Sequence, residues 1–239
     1  MLRKLRDDRR VSRERLGFAA GVSASYITHL ESGAREHPTK QVIEALITFL
    51  DRVEPLAEAE RRHLFDLAGL HDDTFPSVEE LRDGISDDMR DSLVVHEPNP
   101  AAYVDTRWNV LVCNDSYAAA YPGLVEDVSI LRWFFGNELS KRVMVEWERE
   151  ASLTVDWLRG LIGQSGDTTW AGDLLEELGE YREFREMWTA GGTTYGRAEP
   201  RMLLRDSDSG SEYALDVRLY RVDYGRHPGH VQFFLGIRN

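Results

Sequence analysis

The chain has 239 residues, of which 42% are hydrophobic and 30% charged, and its formal net charge is −13. These proportions are typical of a globular protein and argue against a disordered or fibrous chain. No apolar run approaches the roughly 20 residues of a transmembrane helix, and the N-terminal segment has no signal-peptide pattern, so we expect a cytoplasmic protein without a membrane partner.

The charge is distributed unevenly along the chain. The first 50 residues carry nine lysines and arginines against six acidic residues, whereas the remainder carries 20 against 36. A basic segment can neutralise phosphates, while a strongly acidic one is repelled by them. The sequence therefore predicts a small basic module followed by an acidic domain.

Two short helices are predicted near the N-terminus. The segment SRERLGFAAG begins at a good N-cap, Ser12, and ends at Gly21, and VSASYITHLESG begins at Ser23 and ends at Gly33. Two such helices joined by a glycine-containing turn are the helix-turn-helix signature. Gly17 removes a side chain where the two helices would approach each other.

Two further helices complete the predicted N-terminal bundle. TKQVIEALITFL follows Thr39 as its cap and has an apolar stripe, and LAEAERRHLFDLAGL closes the bundle near residue 70. The run HDDTFPS after it is typical of a linker. We therefore divide the chain into a helical domain, residues 1–72, and a second domain, residues 73–239.

The second domain is predicted to be α+β. VEELRDGISDDMRDSLV indicates one helix or two short ones, and AAYVDTRWNVLVCN alternates like a β-hairpin that turns at Thr106 and Arg107. An aromatic-rich helical stretch follows, and then three strands. Two strands, inserted helices and three more strands predict an antiparallel sheet with the helices on one side, a PAS-like domain. Cys113, the single cysteine, excludes an internal disulfide; it lies in the run VLVC and is interpreted as a small core residue, with a reactive thiol as the alternative.

These segments resemble two families. VSRERLGFAAGVSASYITHLESG with REHPTKQVIEALITFLD is similar to the N-terminal domain of XRE-family helix-turn-helix regulators. AYVDTRWNVLVCN, LRWFF, VEWEREA and FREMW resemble the ligand-binding domain of MmyB-like regulators, which are common in actinobacteria. The resemblance implies a DNA-binding transcription regulator that is not an enzyme, needs no cofactor and binds a small apolar molecule such as a fatty acid.

The second helix of the helix-turn-helix is predicted to enter the major groove of an operator. Serine, threonine and histidine side chains on its polar face would read base edges, and arginines at its flanks would contact phosphates. Tyr26 either packs inward or leans on the DNA backbone. The candidate DNA contacts are Arg13, Ser23, Ser25, Tyr26, Thr28, His29 and Arg35. The alternative is a solvated helix face without a partner.

Aromatic side chains concentrate between residues 108 and 188 and are candidates to line an apolar cavity. The alternative for each of them is an ordinary place in the core. Two polar residues are candidates to hold a head group, with a helix cap and a surface ion pair as their respective alternatives. The candidate ligand contacts are Trp108, Asn114, Arg132, Trp133, Phe134, Trp147, Phe184 and Trp188.

The sequence offers little support for catalysis or a metal site. GLIGQSG lacks the lysine of a phosphate-binding loop, and HPGH supplies two histidines without a third ligand in view. The remaining alternative is a regulator whose second domain binds another protein and no small molecule. In either case we expect DNA binding to require a homodimer, made by the acidic domain.

Overall fold

The computed structural model describes residues 1–35, 37–70, 75–164 and 169–238, with the backbone alone at residue 58. The chain forms two compact units, Met1–Thr74 and Phe75–Asn239. The first four residues of the predicted linker HDDTFPS lie outside the described residues. Within those ranges, every helix is too short or too polar to cross a bilayer.

The described part of the first unit contains five helices. The four predicted helices are present, but a helix that the sequence did not predict precedes them. Its segment is dominated by charges, and only Leu2 and Leu5 anchor it to the core. The five are α1 Leu2–Asp8, α2 Arg13–Ala19, α3 Ala24–Ser32, α4 Lys40–Val53 and α5 Glu58–Leu67.

Caps fix the ends of the two helices in the helix-turn-helix. The hydroxyl of Ser12 accepts the Arg15 N–H at 3.2 Å, and the hydroxyl of Ser23 accepts the Tyr26 N–H at 3.1 Å. Each bond satisfies a donor that the first turn of a helix leaves free. Gly33 ends α3 with φ +75°, which favours glycine. The predicted bounds of both helices are thus confirmed to within two residues.

In the same unit the predicted close approach at Gly17 is confirmed, whereas the predicted side-chain cap at Thr39 is wrong. A Cβ at Gly17 would lie 2.7 Å from the carbonyl oxygen of Val22, so only glycine lets α2 and the turn pack this closely. Thr39 precedes α4 as predicted, but its side chain makes no capping hydrogen bond. Buried aliphatic side chains from all five helices, including Leu16, Ile27 and Leu50, form one core.

In the described part of the second unit, two helices, two strands, seven helices and three strands follow one another along the chain. The segment that the sequence left as one helix or two forms two, α6 and α7. The described helices are α6 Val78–Asp83, α7 Asp87–Val95, α8 Asp115–Ala120, α9 Leu124–Asp127, α10 Ile130–Gly136, α11 Glu138–Val143, α12 Trp147–Gln164, α13 Thr169–Leu178 and α14 Arg182–Ala190. The described strands are β1 Ala101–Asp105, β2 Val110–Cys113, β3 Arg201–Arg205, β4 Glu212–Val222 and β5 Val231–Arg238.

The five strands form one antiparallel sheet in the order β2-β1-β5-β4-β3. The predicted hairpin is present, with Tyr103 opposite Val112. Successive residues of β1 face opposite sides of the sheet: Val104 packs into the core formed with α8–α14, and Tyr103 into the core formed with α6 and α7. The α+β fold is confirmed, and the helices inserted between β2 and β3 cover one face.

Candidate functional site

The polar face of α3 is exposed, as a groove-reading face requires. Ile27 is fully buried, whereas Ser23, Ser25, Thr28 and His29 are exposed. Two of these hydroxyls are already engaged: Ser23 caps the helix, and Thr28 donates to the carbonyl of Ala24 at 3.0 Å. A serine or threonine hydroxyl both donates and accepts, so each retains capacity for a base edge.

Arg13 is tied to a buried carboxylate. Its Nε donates to Glu31 Oε2 at 2.8 Å, and Arg6 Nε donates to Glu31 Oε1 at 2.6 Å. The side chains of Glu31 and Arg6 are 3% and 8% exposed, whereas that of Arg13 is 39% exposed. Burial by itself would raise the pKa of Glu31, but the hydrogen bonds and charges of the two arginines outweigh it and lower that pKa.

Neither Arg6 nor Glu31 was among the predicted site residues. The available signal was helical spacing, because Glu31 lies four residues after buried Ile27 and therefore on the same face of α3. A carboxylate at an inward position needs a cationic partner. The partner, Arg6, belongs to the helix that was not predicted, so the pair could not be assembled from the pattern alone.

Arg35 stacks on Tyr26 of α3. Its guanidinium carbon lies 4.3 Å from the centroid of the Tyr26 ring, and its backbone N–H donates to the His29 carbonyl at 3.3 Å. Tyr26 is half-buried and Arg35 exposed. The tyrosine ring thus supports a cation beside α3, an arrangement that suits a phosphate contact.

Most of the candidate ligand aromatics form one continuous cluster in the second unit. Neighbouring ring centroids along this cluster are separated by 5.2 to 6.5 Å. Its members include Trp133, Phe134, Phe135, Trp147, Phe184 and Trp188. Trp108 lies elsewhere in the same core, with its ring centroid 5.3 Å from that of Trp157.

Two indole groups of this cluster have polar partners inside the protein. Trp133 Nε1 donates to the carbonyl of Pro122 at 2.8 Å, and Trp147 Nε1 donates to Ser140 Oγ at 3.1 Å. A buried indole N–H needs such a partner. These bonds fix the ring orientations within the packed wall between the sheet and the inserted helices.

The two candidate head-group residues have internal partners. Asn114 is buried; its Oδ1 accepts the Ala101 and Tyr117 N–H groups, and its Nδ2 donates to the Leu93 and Asn99 carbonyls. These four bonds of 2.9 to 3.2 Å use its whole polar capacity and cap α8.

Arg132 forms a two-bond ion pair with Glu177. Its Nε and Nη2 donate to the two carboxylate oxygens at 2.8 and 2.9 Å. Both side chains are about half exposed, so the guanidinium is accessible but already paired. The hydrogen bonds of the pair lower the pKa of the Glu177 carboxyl.

Two non-glycine residues beside β2 adopt left-handed backbone angles. Trp108 has φ +63°, and Val128 has φ +61° and ψ −51°. The N–H of Ser129 donates to Asp127 at 2.6 Å, which closes a three-residue turn around Val128. A γ-turn of this hand is rare and strained, above all for a β-branched residue, at a cost of roughly 1 to 3 kcal/mol. The strain lies next to α10, which carries Trp133.

Two family models match the chain. Residues 85–230 match the MmyB-like transcription regulator ligand binding domain, and residues 1–64 match a helix-turn-helix domain. No curated protein matches the chain. The first match covers more than half of the chain and includes both the aromatic cluster and the two head-group candidates.

Proposed function

Because the chain belongs to the MmyB-like transcription regulators, we propose that it binds its operator as a homodimer and that a small apolar molecule, fatty-acid-like in character, changes its affinity for DNA. It is a DNA-binding regulator with a ligand-binding domain. We assign DNA binding to residues 1–72, and ligand binding and dimerisation to residues 73–239. In this role the protein performs no catalysis and needs no cofactor.

The observation that carries the DNA-binding proposal is the exposed polar face of α3 between two arginines. Arg13 precedes this face on α2 and Arg35 follows it, while Ser25 and His29 lie between them. Phosphate contacts position a helix on DNA, and contacts with base edges specify the sequence. A single small module offers limited interface area, so pairing two of them on a palindrome would provide the affinity that regulation needs.

Apolar walls around the sheet support a role for the second domain in sensing. The inserted helices place large aromatic side chains, such as Trp133 and Phe184, over one face of the sheet. A ligand shifts DNA affinity only if it binds two arrangements of the dimer unequally. A coupling of about 1 to 3 kcal/mol would change operator affinity roughly 5 to 150 fold.

A second candidate function is a regulator whose second domain binds only proteins. The continuous contacts within the aromatic cluster favour it, because rings that pack on one another leave less wall for a ligand. The two candidates differ in one observable property. Only a sensing domain is stabilised by a free small molecule.

The test uses the full chain. Gel shifts with genomic fragments across a salt series should give salt-sensitive binding, and native mass spectrometry should report a dimer with bound lipid. Medium-chain and long-chain fatty acids should raise the melting temperature and change operator affinity. Failure of all fatty acids to stabilise the protein would favour the protein-binding candidate. Absence of salt-sensitive DNA binding would contradict the proposal that the protein binds an operator.

A further inference from the structure

We propose that the free half of strand β4 binds an extended acidic segment of a partner protein, which adds a strand to the sheet. Strand β4 spans Glu212–Val222, but β3 pairs only with its first half, ending at Arg201 opposite Asp216. Its second half pairs with β5 on the other side. One side of residues 218–222 is therefore a strand edge.

Two residues of this edge direct their backbone hydrogen-bonding groups to the open side. The N–H of Val217 donates to Pro200 at 2.8 Å, on the side of β4 that faces β3. Residues two apart in a strand direct their N–H and C=O groups to the same side. Leu219 and Arg221 therefore present both groups on that side, and within the described ranges nothing pairs with them.

The two outer strands of the sheet are protected, in contrast to β4. On β3, the Leu203 carbonyl accepts the Val145 N–H at 3.1 Å. On β2, the Val110 N–H donates to Val128 at 2.7 Å and its carbonyl accepts Arg82 Nη2 at 2.9 Å. Proteins cover such edges because an open edge pairs with other chains. An uncovered edge between protected ones indicates a place for an external strand.

Side chains at the edge define the chemistry of the partner. Arg218 and Arg221 are exposed, and Tyr220 is 46% exposed. Asp223 pairs with Arg221 at 2.7 Å, whereas Arg218 has no ion pair among the described residues. Residues after 50 are otherwise strongly acidic. A strand with carboxylates on the face that carries Arg218 and Tyr220, and apolar residues on the face that carries Leu219, complements this edge.

The charges also argue against a second copy of this chain as the occupant. A twofold pairing centred on Tyr220 would set Arg218 opposite Val222 and Arg221 opposite Leu219, so neither arginine would gain a carboxylate across the strands. A pairing centred on Arg221 would set the two Arg221 side chains directly opposite each other. Like charges across a strand pair are destabilising. We therefore assign the edge to a different, acidic segment.

The experiment measures fluorescence anisotropy of labelled eight-residue peptides with the full chain. One peptide alternates glutamate and valine, the second alternates lysine and valine, and the third is the glutamate peptide with N-methyl groups along both edges. The first should bind at least ten-fold more tightly than the other two. Equal binding of all three, or no binding of the glutamate peptide at millimolar protein, would overturn the proposal.

Variants at exposed positions distinguish the contribution of side-chain charge to peptide binding from that of backbone hydrogen bonds. Arg218→Glu should reverse the preference between the glutamate and lysine peptides, while Arg90→Glu on α7 should leave it unchanged. Arg221→Pro removes an N–H that faces the free edge and leaves the pairing with β5 intact, so it should lose at least ten-fold more affinity than Arg221→Gln. If both Arg221 variants bind alike, strand addition is excluded. If Arg221→Pro instead dissociates a dimer in sedimentation velocity, the occupant is a second copy and the proposal is wrong.

Discussion

Arg13, at the start of α2, donates its Nε to Glu31 in the last turn of α3 at 2.8 Å. The bond joins the two helices of the helix-turn-helix through a carboxylate that Arg6 holds from the other side. A phosphate contact by Arg13 would therefore depend on a residue that never touches DNA. Positioning of this kind is testable because Glu31 is buried and Arg13 is not.

Glu31→Gln should weaken both the fold of the first unit and its DNA binding. The amide loses the negative charge between two arginines, and breaking a buried ion pair of this kind costs about 3 kcal/mol. All six tryptophans lie after residue 100, so their fluorescence reports the second unit. The loss of stability in the first unit should therefore be measured as faster hydrogen exchange at the Ile27 amide. Glu44→Gln, at an exposed position on α4, is the control; equal protection in both variants would refute the role of Glu31.

The stability of the first unit should fall in mild acid. The folded pKa of Glu31 is lower than its unfolded value, so its contribution is complete above that unfolded value, about 4.3. It is then lost as the pH falls towards the folded pKa. The protection of the Ile27 amide against hydrogen exchange, taken relative to the intrinsic exchange rate at each pH from 6 to 3, should show this decline in the wild type. The decline should be smaller in Glu31→Gln. Identical pH profiles for the wild type and Glu31→Gln would mean that other carboxylates cause the loss of stability in acid.

Arg35→Ala should weaken DNA binding uniformly across sequences. Loss of one charged phosphate contact is expected to reduce affinity about ten-fold and to lower the slope of log affinity against log salt by about one. Arg52→Ala, another exposed arginine in the same unit, is the control. An unchanged salt slope would show that the cation on Tyr26 makes no phosphate contact.

Asn114→Ala should destabilise the second unit by about 3 kcal/mol, because it leaves two N–H groups and two carbonyls without partners in a buried site. Asn114→Asp should also destabilise it, since a carboxylate cannot donate to the Leu93 and Asn99 carbonyls. Urea unfolding followed by tryptophan fluorescence measures both effects. A variant that kept its stability but lost fatty-acid binding would instead favour the head-group role.

Arg132→Ala should change stability by less than about 1 kcal/mol, because its ion pair with Glu177 is largely exposed. If Arg132 holds a carboxylate head group, this variant should lose fatty-acid affinity. Glu177→Gln should then raise that affinity, since it frees the guanidinium. Calorimetry with decanoate compares the two. Equal decanoate affinity in both variants would show that Arg132 forms only the surface ion pair with Glu177 and holds no head group.

Local chemistry was predictable from the sequence, and distant pairing was not. The caps at Ser12 and Ser23 and the glycine end at Gly33 depend on a few neighbouring residues, and the structure has all three. The partner of Arg132 lies 45 residues away, and that of Arg6 lies 25 residues away. Helical spacing gives a side chain its face but not the element that faces it, so these partners required the structure.

The choice between core and ligand wall for the aromatic residues illustrates the same limit. Periodicity indicates that Trp133 and Phe184 point inward, which they do. Both alternatives require that orientation, so no pattern of apolar residues separates them. The strained turn at Val128 was also invisible, because valine is among the residues least suited to a positive φ.

The strand order has a consequence for synthesis on the ribosome. Strand β5, the last to be made, lies in the middle of the sheet and is the link between β1 and β4. Until residues 231–238 leave the exit tunnel, the two hairpins have no common sheet and their apolar faces stay uncovered. The N-terminal helices are complete about 170 residues earlier and need only local contacts, so they can fold first. A nascent or prematurely terminated chain would therefore carry a folded operator-reading module attached to an unfinished, aggregation-prone regulatory domain.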